Sequence, residues 1–82
     1  MCELVPVGSS QEKNLNWLRR QKHLKLRTQE KCVRVENIHS SWGVQILKGN
    51  GGDKKILRKG RTHNVSPGSR VIIEGRQFVV RE

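Results

Sequence analysis

From Leu24 onward, apolar residues recur at every second position in short runs separated by turn-forming residues. Leu24 and Leu26 alternate with Lys25 and Arg27, and Val33 and Val35 alternate with Arg34 and Glu36. Val44 and Ile46 bracket Gln45, while Val71 with Ile73 and Phe78 with Val80 repeat the spacing. A period of two places alternate side chains on opposite faces of a strand, so each run buries one face and wets the other. The breaks are chemically specific. Asn50-Gly51-Gly52-Asp53 and Ser66-Pro67-Gly68-Ser69 carry residues that accept the special backbone angles of turns, and Glu74-Gly75-Arg76 reads as a tight reversal. Short strands joined by such turns at close spacing predict an all-β fold, a small antiparallel β-sandwich or barrel. Strands are expected near residues 31–38, 43–47, 54–57, 70–74 and 77–81. Val33, Val35, Val44, Ile46, Val71, Ile73, Phe78 and Val80 should form the core.

The first part of the chain follows a different pattern. Residues 1–10 hold Leu4, Val5 and Val7 and suit one short strand. Residues 11–22 form the only stretch that suits a helix, although Leu15, Trp17 and Leu18 mark no broad apolar face. With 82 residues the chain is one domain. Within it, residues 1–22 read as an N-terminal strand followed by a basic loop or short helix, and residues 23–82 as the sandwich core.

Several function classes are disfavoured. The hydrophobic fraction is 33%, which leaves no apolar surplus to line a large substrate pocket. No paired carboxylates stand among apolar residues, and no nucleophile elbow, phosphate-binding glycine loop or zinc-protease motif occurs, so the chain is not read as an enzyme. Cys2 and Cys32 are too few for a disulfide framework, and with His23, His39 and His63 they make no zinc spacing. Neither metal nor cofactor is expected, and both cysteines are read as reduced. No apolar run suits a membrane helix, and Glu3 and Pro6 interrupt any signal-peptide pattern. An intracellular, nuclear setting is expected. The formal net charge of +10 favours a polyanionic partner: a phosphorylated or acidic protein, or DNA or RNA.

One constellation is more specific. A histidine, His23, opens a strand; a second strand follows and runs into Asn37-Ile38-x-Ser40-x-x-Gly43-x-x-Ile46. Leu57, Gly60, Val65, Pro67-Gly68, Val71, Ile73, Gly75, Phe78 and Val80 come after it. The pattern resembles that of forkhead-associated (FHA) domains, most strongly over residues 23–80. In that family it reads Ser-Arg-x-His, then Asp-Leu-x-Ser-x-Asn-Gly-Thr, then Leu-x-x-Gly-Asp-x-Ile-x-Ile-Gly and Phe-x-Val.

The chain departs from that pattern at several places. Ser9 stands where the family has a phosphate-binding Arg, Arg20 and Gln21 stand for Ser-Arg, Trp42 for Asn and Val44 for Thr. The family's first strand is also expected to be missing. The resemblance implies a β-sandwich that presents its binding loops at one end and recognises phosphothreonine in a partner protein. Such a site needs a guanidinium together with hydroxyl and backbone donors. The residues that would supply it are Arg19, Arg20, Ser40, Ser41 and Trp42, with His23 and Gly43 supporting the loops. A degenerate domain that keeps the fold and binds another partner is the competing outcome.

The alternative is a small basic β-barrel that binds nucleic acid through backbone phosphates. A helix followed by strands resembles the plan of Sm-like RNA-binding proteins, though that family's Gly and Asp/Asn motif positions find no match. Aromatic residues make up only 4% of the chain, too few for base stacking, so such binding would be salt-sensitive and weakly sequence-selective. The basic run over residues 54–61 serves either as an anion contact or as a lysine-protected strand edge.

Overall fold

The structure, a computed structural model, describes residues 1–8, 10–38, 43–49 and 53–82. It contains β1 (Glu3–Pro6), α1 (Gln11–Arg19), β2 (Leu24–Thr28), β3 (Val33–Asn37), β4 (Val44–Leu47), β5 (Lys54–Leu57), β6 (Thr62–Val65), β7 (Arg70–Ile73) and β8 (Arg76–Arg81). One sheet has five strands in the order β1-β8-β7-β4-β5, and the other has three in the order β2-β3-β6. Every pairing is antiparallel. The two sheets pack together as the alternation requires, and the fold is a small all-β sandwich with one short helix.

The registers show how the period becomes a core. Phe78 lies opposite Val71, and Val71 opposite Ile46, so three consecutive strands place large apolar groups in one row. Val80 pairs with Leu4 in the next row, and Val44 with Leu57. The second sheet contributes Leu24, Val33, Val35 and Val65 from the facing side. All eight expected core residues are at most 1% exposed, and Phe78 is the largest fully buried side chain.

The helix spans Gln11–Arg19 and buries only Leu18, with Trp17 packed partly against the core. Trp17 is covered by the Arg76 guanidinium, 4.2 Å from its ring centre, so it lies half-buried beneath a cation instead of deep inside. Glu12 in the first turn and Arg19 in the last suit the helix dipole.

Strand β6 was absent from the expected set, because its one buried apolar residue is Val65. It exists because β3 offers a second edge, on which Val65 lies opposite Val33 and Thr62 opposite Glu36. The reversal between β7 and β8 uses Glu74 and Gly75, with φ of 49° and 78°. Two positive φ values in a two-residue loop match the twist of the flanking strands. The expected turn at 50–53 lies largely outside the described residues, but β4 and β5 pair on either side of it, Leu47 opposite Lys54. Strand β5 is an edge strand, and its Lys54, Lys55 and Ile56 are exposed.

Candidate functional site

Arg19 ends α1, and Arg20 follows as its C-cap, both exposed. The chain then folds back on the helix. Arg20 N donates to Trp17 O at 3.1 Å, Gln21 N to Leu18 O at 3.2 Å and Gln21 Nε2 to Trp17 O at 3.0 Å. Arg20 itself lines a shallow depression along α1 with Glu12, Lys13 and Asn16. Lys22 and His23 are exposed before β2 begins.

The segment entering β2 is joined to the segment leaving β3, because Ile38 N donates to His23 O at 2.8 Å. Arg20 is three residues from His23, so their Cα atoms lie within about 11 Å of each other. Ser40, Ser41 and Trp42 lie outside the described residues, but both ends of their loop are placed. Gly43 enters β4 with φ of 72°, and a Cβ there would approach Ile56 Cγ2 to 3.3 Å. Gly43 therefore meets both a left-handed backbone and a close neighbour, which together exclude a larger residue without strain.

Asn37 braces the two sheets beside this junction, a role that its sequence context did not announce. It is fully buried and donates from Nδ2 to Leu57 O, 2.9 Å away in the opposite sheet. Its backbone N donates to Arg61 O at 3.0 Å, and its carbonyl accepts from Gly60 N at 2.6 Å. Only its inward direction was legible in the sequence: Asn37 has the same parity as Val33 and Val35, so alternation carries a polar residue into the core. A buried amide must be hydrogen-bonded, and here its partner ties the start of the 38–43 loop to β5.

A second basic surface lies on the outer face of the three-stranded sheet. Lys25, Arg27, Arg34 and Glu36 line a depression of about 220 Å³. Lys25 stands opposite Glu36, but Arg27 stands directly opposite Arg34. Like charges directly opposed across a ladder destabilise it.

Among the described residues, no group of three or more His, Cys, Asp or Glu could hold a metal ion, and no helix is long and apolar enough to cross a membrane. Both cysteines are free thiols. Cys2 is fully buried, and its thiol donates to Glu30 O at 3.4 Å. Burial, followed by the charge of Glu82, pushes the Cys2 thiol above its ordinary value. Comparison with known protein families, curated proteins and solved structures returned no match to this chain.

Proposed function

We propose that this chain is a non-enzymatic interaction module of FHA-like fold. It takes a phosphothreonine-containing or acidic segment of a partner protein where the residues before His23 meet the loop after Ile38. The observation that carries this reading is the 2.8 Å bond from Ile38 N to His23 O, which makes the two loops neighbours. Arg19 at the end of α1, and Arg20 and Lys22 after it, are exposed ahead of His23, and the sequence puts Ser40 and Ser41 on the second loop. Asn37 supports the reading by anchoring the second loop to the sandwich. The test compares a phosphothreonine peptide with its unmodified form by fluorescence anisotropy at two salt concentrations. A hydrogen bond to a charged group contributes about 1.5–3 kcal/mol, so Arg20→Ala should weaken the phosphopeptide about tenfold or more. Lys54→Ala, on the edge strand, should matter little. Equal losses from the two variants would refute a loop-centred site.

The opposed Arg27 and Arg34 favour a second reading, a nucleic-acid backbone laid across the outer face of the three-stranded sheet. Alternate phosphates would relieve the repulsion between the two guanidinium groups. In that case Arg34→Glu should weaken oligonucleotide binding and flatten its salt dependence, while leaving the phosphopeptide unaffected.

A further inference from the structure

A cleft opens between the two sheets at the end of the sandwich away from the His23–Ile38 junction. Strand β6 runs antiparallel to β3, so Val65 lies beside Val33 and the chain leaves for Ser66 at that far end. There Lys48, just past β4, His63 and Asn64 of β6, and Ser66 and Ser69 of the following turn line a cavity of about 320 Å³. Among the described residues, no acidic one lines it.

Two features mark the cavity as more than a gap in packing. Ser69 is only 6% exposed, and its backbone is fully engaged: N donates to Ser66 O at 3.2 Å, and O accepts from Val80 N at 3.0 Å. Its hydroxyl, however, has no hydrogen-bond partner among the described residues. Buried hydroxyls in native proteins almost always have a partner, so an unpaired one lining a polar cavity signals a missing acceptor. The second feature is the charge around His63. Its Nδ1 lies 3.4 Å from Lys55 Nζ, so the neutral ring accepts there and carries its proton on Nε2. The charges that act on the ring are cationic: Lys55 from β5 and Lys48 after β4; Arg34 of β3 lines an adjoining depression with His63.

We propose that this cleft binds a phosphate dianion, either free or as the end of a small phosphomonoester, held by Lys48, His63 and the Ser69 hydroxyl. Lysine supplies the charge, the hydroxyl a directed donor, and the imidazole a second donor. The site is separate from the loop end and stands whether or not that end binds phosphothreonine. His63 has its pKa lowered, first by burial and then by Lys55 and Lys48. A bound dianion offsets both lysines, so the same ring should titrate at higher pH when the site is filled.

The experiment is a titration of the full chain with inorganic phosphate at constant ionic strength, following the His63 ring and the Ser69 amide by NMR. Saturable shifts confined to residues 46–49 and 63–69, with His63 titrating at higher pH, are expected. Lys48→Ala and Ser69→Ala should each weaken phosphate about tenfold, the scale of a lost charge-assisted hydrogen bond. Lys48 is exposed, so its variant keeps the fold even if the buried Ser69 variant does not. Lys25→Ala, on the outer face, should change nothing. Glycerol phosphate in a parallel arm distinguishes the sources: comparable binding assigns the monoester, and exclusion assigns free phosphate. Non-saturating shifts spread over the basic surface, or unchanged affinity in Lys48→Ala, would overturn the proposal. Phosphothreonine-peptide binding by Lys48→Ala should match the parent chain, so this test and that of the loop site fail independently.

Discussion

Asn37 offers the sharpest test of how the two sheets are joined. Asn37→Ala keeps the backbone bonds to Arg61 and Gly60 but removes the Nδ2 donor from Leu57 O. Leu57 is 1% exposed, so water cannot replace that donor. Leu57 O keeps the Val44 N–H across the β4–β5 ladder, so the loss is that of one buried hydrogen bond, about 0.5–1.5 kcal/mol. The whole domain, at 0.05–0.15 kcal/mol per residue, is stable by about 4–12 kcal/mol. With a urea slope of about 1 kcal/mol/M for a small protein, the midpoint should fall by roughly 0.5–1.5 M.

Asn37→Asp separates hydrogen bonding from shape. The carboxylate keeps the volume but sets an oxygen against the Leu57 carbonyl, and only the protonated acid can donate. Burial and that carbonyl therefore raise the folded-state pKa of the new Asp above its unfolded value. A raised pKa means that the native state binds more protons, so stability is highest at acid pH and falls as pH rises through the folded pKa. The assay is urea unfolding of the parent and both variants, followed by circular dichroism at acid and neutral pH. A midpoint within about 0.3 M of the parent for Asn37→Ala, or no added pH dependence for Asn37→Asp, would refute the brace.

Three further outcomes are expected. Phe78→Ala should cost about 3–5 kcal/mol by emptying the centre of the Phe78–Val71–Ile46 row, and an unfolding midpoint close to the parent's would place Phe78 outside the core. Glu74→Asn should raise stability by about 1 kcal/mol, because Glu74 holds a φ of 49° that Asn tolerates better; thermal melting checks the sign. Cys32 is half-buried, while Cys2 is fully buried with a raised thiol pKa, so a maleimide should label Cys32 first. Labelling at equal rates in the folded protein would contradict that placement.

The legible part of the site was its framework. His23 precedes β2, Gly43 precedes β4, and Arg19 and Arg20 fall where the helix ends, all in keeping with the order of elements in the sequence. That Arg20 lines a depression along α1 with Asn16 was not legible, because rotamers at a helix end depend on what packs there. Nor was the cleft lined by Lys48, His63 and Ser69, whose members come from three separated segments with no local pattern.

The sequence by itself determined which residues face inward: alternation is a covalent property of extended chain, and a slip of one residue would turn core valines such as Val33, Val35 and Val71 to solvent. It also determined where the chain reverses, because positive φ and proline geometry are local. Only the tertiary structure decided which strand lies beside which. Periodicity names a face but not a neighbour, so nothing in Val44–Leu47 announced that it lies between β5 and β7. The same holds for β6, which has a single buried apolar residue and becomes a strand because β3 presents unpaired backbone groups that it satisfies. Asn37 shows both levels at once. Its parity placed it inward, but its bond to Leu57 exists only because packing brings the second sheet within 2.9 Å.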